Sequence, residues 1–282
     1  MNSAAIEFIS RSFEEGNAVP YLGPGVLSMG DVGSQLPGSP YALAGCLTAK
    51  SSVPHKIKGN LTAAAQFIEN FKHRTTVSNA MTEAFCLDAK PTSLHTLLTT
   101  QLALPLIVHA WYDDLPQKAL RSRSRWGMAQ GVSQAEHQGN WVHYFNSDGK
   151  HAETRAGGER ADWETLLYQP LGSVWPARNY LVSDSDFVEV LTEIDIQTPI
   201  PQSVQRIRRG KNFLFLGCRF STQLDRMFAR QIIKRSSERH WAVLPEEPTR
   251  NEARFLQENN IERIQMTLDE FVAAFSKRQH VN

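Results

Sequence analysis

The chain has 282 residues, and its 30 Lys and Arg balance 29 Asp and Glu, a formal net charge of +1. This length suits one large α/β domain, and the balance excludes the strong global field with which nucleic-acid or anionic-membrane binders draw in their partners. Three cysteines, Cys46, Cys86 and Cys218, form no Cys-x-x-Cys pair, which excludes a disulfide framework and a four-thiolate zinc site.

No basic start followed by an apolar stretch resembles a leader, and no apolar run approaches the roughly 18 residues that span a bilayer, so a cytoplasmic location is expected. Ile6, Ile9 and Phe13 recur at helical spacing behind Ser3, a residue suited to capping, and Gly16 sits where such a helix stops. A short strand is expected over Ala18–Leu22. It runs into Gly23–Ser28 (GPGVLS) and then Met29–Pro40, a Gly-, Ser- and Pro-rich stretch expected to be a mobile loop. Leu61–His73 and Thr76–Phe85 carry helical spacing and form a small helical layer within residues 45–90, before a break at Pro91 and Ser93. Leu104–Val108 is a continuous apolar run, the pattern of a strand buried on both faces of a parallel sheet.

Residues 121–162 differ in character. They open with the basic run Arg121, Arg123, Arg125, continue with many Gly, Gln and His, and end in an alternating segment whose Asp148-Gly149 pair predicts a hairpin. We read this stretch as an insertion into a single domain spanning residues 1–282. Trp126, Trp141 and Trp163 either build a small core there or expose a contact surface, since Trp and Arg are favoured at interface hot spots. His137, His143 and His151 lack helical metal-ligand spacing, so no metal is expected. Beyond it, Asn212–Leu216 is a strand, Thr222–Ser236 a helix, His240–Leu244 a strand, Arg250–Asn259 a helix, Arg263–Met266 a strand and Leu268–Phe275 a helix. Strands alternating with helices predict a doubly wound, Rossmann-like parallel sheet. The run Arg206, Arg208, Arg209 and Lys211 is a solvated face or a contact for phosphate.

Four segments could carry chemistry. Gly23–Ser28 follows a strand, where glycines admit a pyrophosphate to the backbone and amides bind its charge; the plainer reading is a tight turn. Leu104–Leu120 (LPLIVHAWYDDLPQKAL) places His109, Trp111 and Asp113 at a strand end. Gln169–Val174 (QPLGSV) contains a turn at Gly172 and Ser173, and Leu214–Ser221 (LFLGCRFS) is a strand and loop followed by Leu224-Asp225.

In this order, the four segments resemble those of sirtuin-like domains, from about Val19 to Phe275. The family's Thr-Thr-Asn-Tyr-Asp corresponds to the residues ending Ala110, Trp111, Tyr112, Asp113, so Trp111 stands where the family has its catalytic asparagine. Leu171 stands where the family's Leu-His-Gly-Ser turn has a histidine that takes a proton from a ribose hydroxyl, and leucine cannot do acid–base work. Pro24 replaces the alanine between the two loop glycines and supplies no N–H. The resemblance implies cofactor contacts at Gly23, Gly25, Ser28, Gly172, Ser173, Gly217 and Ser221, for NAD or ADP-ribose, with no cofactor required. It implies a catalytically degenerate protein acting as an accessory factor for a larger protein partner, reached through Arg121, Arg123, Arg125, Trp126 and Trp141 and not through nucleic acid or a membrane. Similar chains accompany bacterial defence or nitrogen-fixation genes. The alternatives are an active NAD glycohydrolase in which His109 or Asp113 substitutes for the missing groups, and a sensor that binds NAD or ADP-ribose without cleaving it. The zinc module of ordinary sirtuins is not expected.

Overall fold

The apolar runs assemble into one eight-stranded sheet in the computed structural model, which describes residues 2–30, 36–101, 103–136, 139–155, 157–158, 160, 162–193 and 199–279. In chain order the elements are α1 (Asn2–Glu14), β1 (Ala18–Leu22), a 3-10 turn (Pro24–Ser28), α2 (Pro40–Lys50), α3 (Leu61–Lys72), α4 (Arg74–Phe85), α5 (Ser93–Thr99), β2 (Leu106–His109) and α6 (Leu115–Leu120). Then come β3 (Trp126–Gly131), β4 (Val142–Asn146), β5 (Thr165–Gln169), β6 (Gly172–Ser173), β7 (Asn179–Tyr180), α7 (Asp184–Glu193) and α8 (Gln202–Ile207). The chain closes with β8 (Asn212–Leu216), α9 (Gln223–Ile233), β9 (His240–Val243), α10 (Arg250–Glu258), β10 (Ile261–Ile264) and α11 (Leu268–Gln279).

The strand order is β10-β9-β8-β1-β2-β5-β3-β4, parallel throughout except for β4, and β6 pairs with β7 separately. The chain moves outward from β1 to one edge and then returns to the other side of β1 with β8. That reversal opens a crevice at the carboxyl ends of β1 and β8, the usual ligand position in a doubly wound sheet.

Side chains alternate across the sheet, as the strand period of two requires. Val19, Tyr21, Val108, Phe213 and Phe215 face a layer holding α2, α3, α4, α7 and α9, whereas Leu22, Ile107, Leu214 and Leu216 face α1, α5 and α11. α1 buries Ile6, Ile9 and Phe13 as its spacing predicts, and Gly16 ends it at φ +66. Ser3, however, lies inside the helix rather than capping it.

The expected loop at Met29–Pro40 ends earlier than its composition suggests. Ser39 accepts a hydrogen bond from the amide of Ala42 at 3.1 Å, with Pro40 in the first turn, and so starts α2; residues 31–35 lie outside those described. The stretch 121–162 is also more integrated than expected. Trp126–Gly131 is β3, a parallel strand between β5 and β4, and Trp126 is buried. The Asp148-Gly149 turn forms as predicted, with Gly149 at φ +83 and Phe145 bridged to His151. His137 lies outside the described residues.

Candidate functional site

A cleft of about 620 Å³ opens at the switch point between β1 and β8. Gly23, Gly25, Trp111, Leu171, Gly217 and Ser221 line it, so the cleft draws together residues from all four segments. Ser28, His109, Asp113, Gly172 and Ser173 do not line it.

The glycine turn is built by close approach of two loops. The amide of Gly23 donates to the carbonyl of Leu216 at 2.9 Å, and that of Gly25 to the carbonyl of Gly217 at 2.9 Å. A Cβ on Gly23 or Gly25 would meet the Gly217 carbonyl oxygen at 2.6 or 2.8 Å, so both positions exclude larger residues for packing reasons. Gly217 has φ +66. The amide of Val26 donates to the carbonyl of Gly23, Pro24 has no N–H, and the Ser28 hydroxyl donates to the carbonyl of Gly25 at 2.6 Å.

Trp111 follows β2 and is 3% exposed. Its indole Nε1 donates to the carbonyl of Pro37 at 2.9 Å, and its ring packs against Tyr112 and edge-on to Phe85. Tyr112 is fixed in turn by donating its hydroxyl to the carbonyl of Leu181 at 2.7 Å. Burial pushes the phenol of Tyr112 well above its ordinary value. Leu171 precedes Gly172, whose φ of +80 and contact with Asn179 shape the turn into β6.

His109 and Asp113 pair with each other beneath the cleft. Nε2 of His109 lies 3.1 Å from Oδ2 of Asp113, and the other carboxylate oxygen accepts the amide of Leu115 at 3.0 Å. Burial alone would raise the Asp113 carboxyl, but His109, His95 and that amide together hold it below the usual carboxylate range. Nδ1 of His109 contacts Gln169, whose Oε1 accepts from Gln117 at 3.0 Å and from Gln130 at 2.8 Å. The Ser173 hydroxyl also accepts from Gln117. These residues therefore form a buried polar network under the floor, and both substitute candidates belong to it.

Sequence reasoning placed Leu224 and Asp225 near the site but assigned Asp225 no role there. Both line the cleft, and Asp225 forms a reciprocal cap with Thr222 at the start of α9. Burial pushes the Asp225 carboxyl up, against the lowering effect of Thr222. Tyr21, Arg219 and Phe220 also line the cleft and were not singled out. Arg219 and Phe220 stand in the Leu214–Ser221 segment, and Tyr21 is signalled only by its place at the end of β1.

Of the residues expected to form a contact surface, Trp126 is buried, Trp141 is half-buried, and Arg123 is half-buried and donates to the carbonyls of Thr99 and Gln101, whereas Arg121 and Arg125 are exposed, Arg125 paired with Glu164. Arg208 is buried too, donating to the carbonyls of Gln231 and Ile232 at the end of α9, which corrects its assignment to a solvated face. Among the described residues there is no group of three or more metal-ligating side chains, and no helix is long and apolar enough to cross a membrane.

A search of curated proteins finds no relative. Among solved structures, one described as "Structural Basis for the Mechanism and Regulation of Sir2 Enzymes" is similar at 13% identity and a TM-score of 0.42, over 99% of this chain and 98% of that one. The family model described as SIR2-like domain matches residues 105–264, more than half of the chain. The chain belongs to the SIR2-like domain family.

Proposed function

We infer that this SIR2-like domain is catalytically degenerate and works by binding, as an accessory factor for a larger protein, rather than by cleaving NAD. One observation carries the reading: Trp111 and Leu171, from distant segments, both stand in the wall of the same cleft, where the family resemblance places an asparagine and a histidine. Leucine has no proton to exchange. The indole has a single donor, and Pro37 occupies it.

SIR2-like domains are NAD-related, so NAD is the ligand to test first. The cleft has a suitable position and volume, since small-molecule sites range over about 300–1,000 Å³. Its glycine turn suits a pyrophosphate poorly, because the Gly23 and Gly25 amides bond to the β8 loop. The burial of His109 and Asp113 disfavours their acting as replacement catalytic groups.

Purified protein incubated with NAD should release no nicotinamide above the buffer control. Steady release, abolished by His109→Ala, would instead establish an active glycohydrolase. The cleft itself favours a second reading, a sensor that binds nucleotide without turnover, and calorimetry with NAD and ADP-ribose tests it. Affinity purification of the full chain from its native cell tests the partner: recovery of a stoichiometric protein companion is the expected result.

A further inference from the structure

The charged side chains and the glycine-turn amides of the cleft are set against a diphosphate. Among the described residues lining it, Arg219 is the one cationic side chain. Nε and Nη2 of Arg219 grip both carboxylate oxygens of Glu252 at 2.9 and 3.0 Å, and Nη1 pairs with Glu246. Glu252 is fully buried, so turning Arg219 toward a phosphate would strand a buried carboxylate. Two further carboxylates, Asp184 and Asp225, line the same cleft. An incoming diphosphate would meet like charge, and the amides of Gly23, Gly25 and Val26 are already used.

What the cleft does present is aromatic surface and, on Tyr21, a nearly buried hydroxyl without a protein partner among the described residues. Tyr21 and Phe220 both pack on Phe215 and line the cleft, with Trp111 in its wall. Tyr21 is 5% exposed, and its hydroxyl has no hydrogen-bond partner among the described residues. A nearly buried phenol of this kind normally finds a partner, and a ligand in the cleft would supply it. The Asp225 carboxylate, close enough to raise the pKa of both Tyr21 and Cys218, adds an acceptor that favours a donor or a cation.

We propose that the cleft takes an unphosphorylated aromatic ligand of nucleoside size, neutral or cationic, and discriminates against the dinucleotide diphosphate. The ring lies along the aromatic wall, and polar groups meet the Tyr21 hydroxyl and the Asp225 carboxylate. The proposal rests on the non-catalytic reading above, because a cleaving site would have to accept NAD.

Calorimetric titration of the full chain decides it, with adenosine and nicotinamide riboside as unphosphorylated probes and ADP-ribose and NAD as diphosphates. At least one nucleoside should bind about tenfold or more tightly than either diphosphate. Tyr21→Phe removes a hydroxyl with no protein partner, so the fold should stay intact while nucleoside affinity falls about three- to tenfold. Asp225→Asn should narrow any preference for the cationic nicotinamide riboside over adenosine. Diphosphates binding as tightly as the nucleosides, no heat from either nucleoside, or undiminished binding by Tyr21→Phe would each overturn the proposal. Failure of the non-catalytic reading is a separate signal, nicotinamide release from NAD.

Discussion

Trp111 donates its indole N–H to the carbonyl of Pro37 across 2.9 Å, so one side chain both fills the cleft wall and anchors the segment entering α2. The bond joins two segments far apart in the chain. Trp111→Phe keeps a ring against Phe85 and Tyr112 but leaves the Pro37 carbonyl without its donor, and should cost about 1 kcal/mol. Trp111→Ala adds a cavity and should cost about 3–5 kcal/mol, read as a shift in the urea midpoint.

Restoring one family residue should not restore chemistry. Neither Trp111→Asn nor Leu171→His alone should release nicotinamide from NAD, because each leaves the other departure in place and Asp113 still bound to His109. Release by either single variant would show that one substitution had silenced an otherwise complete site.

Gly217→Ala should be strongly destabilising. The position has φ +66, where a side chain is strained, and an added Cβ would run into the amide nitrogen of Val26. The strain alone is worth about 1–3 kcal/mol, and the clash pushes apart the β1 and β8 loops that make the cleft. Thermal melting and loss of ligand binding should move together.

Two buried histidines should make the fold acid-sensitive well above the carboxylate range. Burial lowers both His95 and His240 to about 4. Each ring accepts a backbone hydrogen bond at Nδ1, from Thr92 and from Phe213, which only the neutral ring can do. Above pH about 6.5 neither the folded nor the unfolded state charges these rings, and their full stability is present. Between about 6.5 and 4 the unfolded chain takes up protons that the folded chain refuses, so stability falls across that window, by on the order of 2–3 kcal/mol for each ring. A His95→Gln, His240→Gln double variant should flatten the denaturation midpoint between those pH values.

Asp186 should govern a second, more acidic step. It pairs with Arg74 at 2.8 Å and accepts the Ser133 hydroxyl and the Val182 and Ser183 amides. Burial would raise its carboxyl, but Arg74 and these hydrogen bonds hold it below the usual range. Its contribution is therefore present above the unfolded value of about 3.9 and lost as pH falls through the lower folded value. Asp186→Asn leaves Arg74 underpaired and should cost about 3–5 kcal/mol at neutral pH.

Much of the sheet was legible locally. Ala18–Leu22 and Asn212–Leu216 form strands with the expected limits, since continuous apolar runs have no exposed face to satisfy. β3 was not legible, because Gly127, Gln130 and Gly131 read as a loop. Gln130 is buried there because its amide finds Gln169 and the carbonyl of Trp175, partners 39 and 45 residues away. α5 was hidden for a related reason: Thr92 caps it together with His95, an uncommon partner in place of the usual Glu or Gln.

By itself the sequence determined which functional groups the cleft could contain, because the chemistry of Trp111, Leu171 and Pro24 is intrinsic to their side chains. It also determined the alternation of strands and helices, which depends on near neighbours. Only the tertiary structure decided where the available groups point. The Gly25 amide meets the Gly217 carbonyl, His109 and Asp113 pair beneath the floor, Arg219 is held by Glu252, and the Tyr21 hydroxyl is left open to the cleft. Most of these outcomes depend on contacts between residues far apart in the chain, and even the His109–Asp113 pair is buried by distant packing. Local pattern sets the strands, but distant partners decide which polar groups remain free for a ligand.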